Sequence, residues 1–327
     1  MSAAPVLLIK GKGGFGNRIL AATTGIVLAE LTGRQPVIDW RDGIFLPEGE
    51  NLYPLLFDAP AADDPAAYDG RSDVVPAIWA GRLGQSARTV ITRDLGDRHS
   101  SPFIYRRLSL DLARPQAPQP VAVFFSYLPK LARLRRAMAR DPRFQGRAAD
   151  DVLRDVLARH FTPNARVRAA VERLFAGLPR PVIGMHIRHT DMQVPVPPFE
   201  RVAGRLRQQM PGATLFLATD SQAVQDRIQA RFDGVMTIDK ALGRDAGGLH
   251  RPDHRDADAA FADPLREAEN ALVDLWTLSQ CDWLVHASRS TFSVLAALLG
   301  PIPTARQIDI DRFNPVVRAK RWFQTHA

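Results

Sequence analysis

The segment VIGMHIRHTD, residues 182–191, begins as an apolar run and ends in charged side chains. The apolar part predicts a buried strand of a parallel sheet, in which His186 and Arg188 share one face and His189 points to the other. Ligands of open parallel sheets bind at the carboxyl ends of the strands. The forked guanidinium of Arg188 therefore suits a diphosphate, and Asp191 is placed for acid or base work.

Two further predicted strands end at this same edge. The segment 216–221, FLATDS, ends in a hydroxyl and a carboxylate, and the segment 288–291, SRST, lies between a strand and a helix. Small hydroxyl residues at a helix start bind anions, although each is also an ordinary N-cap. Taken together with Arg188, they predict a diphosphate site that includes Thr219, Asp220, Ser288, Ser290 and Thr291.

Helices and apolar strands alternate through the second half of the chain, which is typical of a doubly wound parallel sheet. The predicted strands are 182–188, 214–219, 235–239 and 282–286, and the predicted helices are 162–175, 199–210, 221–232, 264–280 and 291–299. Thr162 and Pro163 are expected to be the N-cap and first residue of the first of these helices.

The first half opens with a βαβ pattern, in which strand 6–9 leads through a glycine turn to helix 19–31 and strand 36–40. Residues 42–119 are rich in Pro, Gly and Asp and predict long irregular connections. A strand at 121–125 and an amphipathic helix over 128–138 follow. We therefore expect two α/β domains, 1–155 and 156–327.

The glycine turn fits the dinucleotide fingerprint Gly11-x-Gly13-x-x-Gly16, with Asp39 where a ribose-binding acid would stand. This pattern suggests an NAD-dependent oxidoreductase as one alternative function. The same glycines also serve a phosphate or sugar at a helix N-terminus, or a tight turn without a ligand. The pattern does not choose among these three interpretations.

Composition indicates an ordinary globular protein of 327 residues, with 46% hydrophobic and 24% charged residues. No apolar run is long enough to span a bilayer and no signal peptide is recognisable, so we expect a cytoplasmic protein. The sole cysteine, Cys281, excludes an intramolecular disulfide and is expected to be buried. The net charge of +8 comes from 43 basic and 35 acidic residues. The basic residues are mostly arginine, which reflects either genome composition or contacts with phosphates and carboxylates.

No metal is expected from the sequence. The acidic pairs Asp256-x-Asp258 and Asp309-x-Asp311 follow no convincing nucleotide-binding strand, and Pro252 interrupts the helical spacing of His250 and His254. The arginine-rich stretch 130–140 is expected to be a solvated helix face. The alternative for that stretch is contact with a polyanion or with the inner membrane as a peripheral protein.

Five motifs occur in an order that resembles the GDP-fucose-dependent fucosyltransferase superfamily, and most closely its α-1,6 branch. They are GGFGN at 13–17, VIDWR at 37–41, HIRHTD at 186–191, FLATD at 216–220 and LSQCDWLV at 278–285. The resemblance is dense over 180–300 and poor over 45–120. The related α-1,2 enzymes share the glycine turn and the His-x-Arg motif, so the linkage stays open.

The resemblance implies a GT-B-like fold of two Rossmann-like domains and an inverting, metal-independent transfer of fucose from GDP-fucose to a bacterial glycan or glycolipid. No cofactor and no nucleic acid partner are implied. The C-terminal domain would hold the donor. Arg188, assisted by His186, would bind the diphosphate, and Asp282 would bind the guanine. Ser288 and Ser290 would bind phosphate. The turn Gly14, Phe15, Gly16 and Asn17 would face the donor across the cleft, and the N-terminal domain would bind the acceptor.

The chain departs from the family pattern at two places. His189 replaces the second arginine of the animal motif, and no acid stands between Asp191 and Glu200, where the family carries a proposed catalytic carboxylate. Asp191 is the first candidate for the general base and Glu200 the second. The missing acid also leaves open a nucleotide-sugar binder without catalytic activity.

Overall fold

The computed structural model describes residues 4–58, 63–96, 99, 101–243 and 263–326. The chain divides into two compact units: Met1–Thr162 with Ala319–Ala327, and Pro163–Arg318. The sequence analysis assigned the C-terminal stretch to the second domain, whereas the structure groups it with the first unit. One contact that explains this is the hydrogen bond from Lys130 Nζ to the backbone carbonyl of Gln324.

The first unit is built on a parallel sheet in which, among the described residues, four strands run in the order β2-β1-β4-β3. β1 and β4 are buried along their whole length, as expected for apolar runs covered on both faces. The strands are β1 Val6–Lys10, β2 Gln35–Asp39, β3 Val74–Val75 and β4 Val121–Phe125. The helices are α1 Phe15–Thr32, α2 Tyr53–Leu56, α3 Ala87–Asp94, α4 Pro102–Arg107, α5 Leu131–Met138 and α6 Ala149–His160.

The opening βαβ pattern is confirmed, with one change at the glycine turn. α1 begins directly after Gly14, four residues earlier than predicted, and it ends at Gly33 in the left-handed conformation (φ +64°) as the sequence indicates. The segment 42–119 contains short helices in addition to irregular connections, and α6 lies where no helix was predicted. The short helices of 42–119 escape prediction because they span too few turns to show a periodicity, whereas the 12-residue α6 was long enough and was missed.

The second unit is built on a parallel sheet of strand order β7-β6-β5-β8-β9 within the described part of the chain. The strands are β5 Val182–Ile187, β6 Thr214–Thr219, β7 Val235–Met236, β8 Trp283–His286 and β9 Gln307–Asp309. The helices of this unit are α7 Ala165–Ala176, α8 Pro197–Gln209, α9 Gln222–Arg231, α10 Pro264–Ser279 and α11 Thr291–Leu299, and α12 Pro315–His326 begins at its end and lies mostly in the first unit. The predicted doubly wound α/β fold is confirmed, and β9 is an addition to it.

The strand order places a topological switch point beside β5. From β5 the chain proceeds outward through β6 to β7, and it then returns to the other side of β5 to form β8 and β9. Ligands of doubly wound sheets bind in the crevice at the carboxyl ends of the strands where the order reverses. The carboxyl ends of β5 and β8 are therefore the place to look for a site.

Close packing of α10 against β5 depends on a glycine and on the buried cysteine. A Cβ at Gly184 would lie 2.7 Å from Cys281 Sγ, so only glycine lets the two elements approach this closely. Cys281 is buried as predicted, donates to the carbonyl of Thr277 (3.2 Å) and has its pKa raised by burial. This cysteine is a packing residue.

α7 starts later than predicted. Asn164, and not Thr162, is its N-cap: the Asn164 side chain accepts a hydrogen bond from the Val167 amide at 2.9 Å. None of the helices in the described part of the chain is long and apolar enough to span a membrane.

Candidate functional site

Arg188 lies at the carboxyl end of β5, held between two carboxylates. Its Nε donates to Asp191 Oδ1 (2.7 Å) and lies 3.7 Å from Asp220 Oδ2. The Arg188 side chain is 21% exposed, compared with 4% for the buried Arg41 of the first unit. The guanidinium is therefore fixed in direction and still accessible to a ligand, which is the arrangement expected of an anion-binding arginine.

Asp220 shapes the loop that carries Arg188 and Asp191. Its Oδ1 accepts from the His189 amide (2.7 Å) and its Oδ2 from the Thr190 hydroxyl (2.6 Å). Asp220 thus acts as a positioning residue, where the sequence analysis expected a donor contact. Thr219 also makes a contact within the chain, since its hydroxyl is buried and donates to the Ile187 carbonyl at 2.7 Å. The spacing of FLATD predicted its place correctly but could not predict the direction of the side chains.

His186 is a buried, neutral residue that links β5 to α11. Its Nδ1 lies 2.6 Å from Ser293 Oγ and its ring stacks on Phe292 at 4.8 Å. Burial, reinforced by the charges of Arg188, Lys240 and His286, holds the pKa of His186 well below its usual value. His186 therefore orients α11 without bringing a positive charge to the edge of the sheet.

The N-terminus of α11 carries a buried hydroxyl without a hydrogen bond. Ser290 is the N-cap residue and is 2% exposed, yet its Oγ makes no hydrogen bond to any residue that the structure describes. A buried polar atom left in this state costs about 1–3 kcal/mol, and a bound ligand or water is one way to satisfy it. It lies beside backbone amides that the helix dipole makes attractive to an anion.

The loop before α11 is fixed by two aspartates, one at the last residue of β9 and one just after it. Asp309 Oδ1 accepts from the Ser288 amide (2.9 Å), and Asp311 forms a forked ion pair with Arg289 (2.5–3.1 Å). The pair Asp309-x-Asp311 is thus committed to holding residues 288–289 in place. Thr291 is the first residue of α11, adjacent to Ser290.

The described residues contain no cluster of three or more histidine, cysteine or acidic side chains that could hold a metal ion. The other two candidate pairs, Asp256 with Asp258 and His250 with His254, lie outside the described residues.

Asp282 is at the opposite edge of the sheet, so the structure does not bring this predicted guanine contact together with Arg188. It precedes β8, so about four residues of strand, or ~13 Å, separate it from the carboxyl edge. Its carboxylate accepts from the Val182 amide (2.7 Å) and pairs with Arg180 (2.9 Å). Asp282 fixes the start of β5 beside the start of β8.

Glu200 is also committed to a structural contact. It lies in the first turn of α8, where its two oxygens accept from Arg227 of α9 at 2.7 and 2.9 Å. These hydrogen bonds hold the pKa of Glu200 below its usual value. The structure therefore brings Asp191, and not Glu200, together with Arg188.

The glycine turn of the first unit is filled by the protein's own side chains. Gly13 has φ +75°, and a Cβ there would lie 2.6 Å from the Tyr127 ring. The Phe15 side chain is buried and stacks on Phe45 at 4.9 Å, so its ring is not available to a ligand. Gly14 faces open space at the start of α1, followed by Gly16 and Asn17 in the first turn. Donor contacts of these last three residues stay predictions.

Asp39 is not available to a ribose. Its Oδ2 accepts from Lys10 Nζ (2.7 Å) and its Oδ1 from Arg41 Nε (3.0 Å), and the side chain is 1% exposed. Burial alone would raise the pKa of Asp39, but the charges of Lys10 and Arg41 outweigh it and lower that pKa. The NAD interpretation of the glycine turn thus loses the acid on which it depends.

One buried polar pair of the second unit was not predicted from the sequence. Asp274 is buried in α10 and pairs with Lys240, and Asp274 Oδ1 makes no hydrogen bond among the described residues. A carboxylate inside the apolar run Leu272-Val273-Asp274-Leu275 was the signal available for it.

The chain was compared with known proteins. No protein-family model matches it. In sequence it is 24% identical over 332 residues to nodulation protein Z of Bradyrhizobium diazoefficiens, an alignment that covers 92% of this chain and 80% of that protein.

Solved structures of fucosyltransferases share the fold. NodZ α-1,6-fucosyltransferase soaked with GDP-fucose matches with a TM-score of 0.63 and 21% identity, over 95% of this chain and 97% of that one. A variant of Arabidopsis thaliana FUT1 in complex with GDP matches with a TM-score of 0.57 and 14% identity, over 94% and 72%. The predicted resemblance and the GT-B-like α/β fold are confirmed, and these relatives belong to the enzyme class that the sequence predicts.

Proposed function

We propose that this chain, a relative of the fucosyltransferases in sequence and fold, transfers fucose from GDP-fucose to a glycan acceptor. The observation that carries the proposal is that two polar groups follow the neighbouring strands at the topological switch point. One is Arg188, which is fixed and accessible, and the other is the buried Ser290 hydroxyl, which has no hydrogen bond among the described residues. A diphosphate bound there would satisfy both groups.

The mechanism that we propose is an inverting displacement without a metal. Negative charge develops on GDP as the bond to fucose breaks, and donors that are already oriented stabilise such charge without reorganisation. Arg188 supplies a bidentate cation, and the N-terminus of α11 supplies Ser290 and backbone amides. Ser288 contributes through its position in the loop that Asp309 and Asp311 hold.

Asp191 is the general base in this proposal. A base must stand within hydrogen-bond reach of the acceptor hydroxyl, and Asp191 is the carboxylate at the sheet edge that contacts Arg188 directly. Glu200 is a weaker candidate because Arg227 occupies both of its oxygens. Donation by Arg188 to the donor diphosphate would weaken its hold on Asp191, which favours deprotonation of the acceptor once the donor has bound.

Nucleotide titration and a turnover assay test this proposal. GDP should raise the melting temperature, with linkage worth about 2.7 kcal/mol at a hundredfold excess over Kd, whereas NADH should not. Fucose transfer to a panel of glycans should survive EDTA. Stabilisation by NADH and not by GDP would refute the assignment, and a strict requirement for Mg²⁺ or Mn²⁺ would refute the metal-free mechanism.

The alternative of a nucleotide-sugar binder rests on the missing acid between Asp191 and Glu200. GDP binding without hydrolysis or transfer of fucose, over the whole glycan panel, would favour that alternative. Loss of transfer in Asp191→Asn with unchanged GDP affinity would instead support the enzyme.

A further inference from the structure

A basic groove runs along α5 in the first unit. It consists of two adjoining cavities of about 400 and 740 Å³ that share Leu112 and Arg133 in their linings. Both volumes lie within the range of small-molecule sites, roughly 300–1,000 Å³. The groove reaches from Ser126, just after β4, to Arg140 beyond the end of α5.

The charges that line the basic groove are strongly unbalanced. Two carboxylates line it, of which Asp141 is bound by Arg143 (2.6 Å) and Asp111 lies 4.0 Å from Arg133. The basic residues in the lining are Arg106, Lys130, Arg133, Arg135, Arg136 and Arg140. Six cations gathered around a concave surface attract an anion with more than one negative group.

Three of these cations converge at the inner end of the groove. Lys130 is 6% exposed, and burial together with the charges of Arg133 and Arg106 lowers its pKa to about 8. Burial and Arg106 also lower the pKa of Arg133. Lys130 Nζ also donates to the Gln324 carbonyl, but this contact is with a neutral group. Like charges held this close oppose folding, so their arrangement fits a bound anion that neutralises them.

The inner end also lies where a parallel sheet binds ligands. Phe124, Phe125 and Ser126 form the carboxyl end of β4, and Lys130 precedes the first residue of α5. In sheets of this type, the carboxyl ends of the strands are the ligand-binding edge. The position thus agrees with the charge as a sign of binding, independently of it.

We propose that the basic groove binds an acidic glycan, with a phosphate or carboxylate group of the glycan seated among Arg106, Lys130 and Arg133. This proposal rests on the proposed function, since it identifies the acceptor of that reaction as acidic. The concave shape and the separate inner pocket favour a discrete anionic oligosaccharide over a flat lipid surface.

Binding measured on the full chain with GDP present in saturating amount tests the proposal, since GDP keeps phosphate probes away from the donor site. The probes are a galacturonic acid tetramer, a phosphorylated tetrasaccharide and a neutral galactose tetramer. We expect either acidic probe to bind about tenfold or more tightly than the neutral one, and Arg133→Gln to remove most of that difference. The stronger of the two acidic probes identifies the acidic group.

Arg107→Gln is the matched control, because Arg107 neighbours Arg106 on α4 and carries the same charge without lining the groove. It should leave the binding of the acidic probes within about twofold, since an exposed charge outside the groove is screened by salt. Arg133→Gln should not lower the melting temperature, because it relieves repulsion from Lys130. A purely structural arginine would lower it.

Several outcomes would overturn the proposal. They are equal binding of acidic and neutral probes, an Arg107→Gln effect as large as that of Arg133→Gln, or binding of phosphatidylglycerol vesicles without binding of the acidic probes. GDP stabilisation is recorded on the same samples. If GDP fails to stabilise the chain while the acidic probes still bind through Arg133, the proposed function fails and the groove remains an anion site.

Discussion

The carboxyl edges of the two sheets carry similar residue types and differ in how accessible those residues are. In the first unit Lys10, Asp39 and Arg41 satisfy one another, and the Asp39 side chain is 1% exposed. In the second unit Arg188 is 21% exposed and Ser290 Oγ has no hydrogen bond. Both strand ends carry ion pairs, so the difference lies in access: the charges of the first unit are enclosed, whereas the ion-paired Arg188 of the second unit is still open to solvent.

The largest effect expected from this comparison is on the stability of the first unit. Asp39→Ala should reduce the free energy of unfolding by about 3–5 kcal/mol, because it leaves Lys10 buried without its counter-charge and leaves Arg41 with Asp69 alone. Urea unfolding measures this loss. A variant that folded with unchanged stability and lost nucleotide binding would reverse the roles that we assign to the two edges.

Arg188→Ala should act on turnover and not on folding. Loss of a bidentate contact to the leaving diphosphate is expected to reduce kcat/KM roughly thirtyfold to several thousandfold, or about 2–5 kcal/mol. Arg188→Lys should recover little of this, because an ammonium cannot reproduce the fork. His189→Ala serves as the comparison and should cost less. Equal losses in the two alanine variants would show that the wrong face of β5 has been assigned to the donor.

His186 should make stability dependent on pH. Because its pKa in the folded chain lies below that in the unfolded chain, the unfolded chain binds the extra proton and unfolding is favoured as the pH falls below about 6.5. The slope that His186 contributes is up to about 1.4 kcal/mol per pH unit. Unfolding at pH 5, 6 and 7 should therefore show a flatter profile for His186→Gln. An unchanged profile would contradict the neutral, buried state of this residue.

Ser290 and Ser293 offer the smallest and most discriminating comparison. Ser290→Ala should weaken GDP binding by about 1 kcal/mol and leave stability unchanged or higher, since it removes an unpaired buried hydroxyl. Ser293→Ala should reduce stability, because it removes the partner of His186. Thermal unfolding with and without GDP measures both effects. The same response in both variants would mean that Ser290 is an ordinary cap.

Much of the second unit was predictable because its elements are regular. The alternation of apolar strands and helices predicted the parallel sheet, and residues 186–191 predicted Arg188 and Asp191 at its edge. The poorly periodic segment 42–119 was not predictable in the same way, and neither was the basic groove. Its cations come from α4 and α5, so nothing in either stretch alone shows that Arg106 and Arg133 meet.

The sequence by itself determined which segments are buried strands, where glycine permits a tight turn, and which family order the motifs follow. The tertiary structure decided which polar groups are left to bind a ligand. Asp39 and Asp282 are of a residue type that is common in ligand sites. Partners from elsewhere in the fold nevertheless hold both in structural contacts. The physical reason is that a carboxylate that already accepts hydrogen bonds from the cations and amides around it is less available to a ligand. The strand order determines which cations and amides those are.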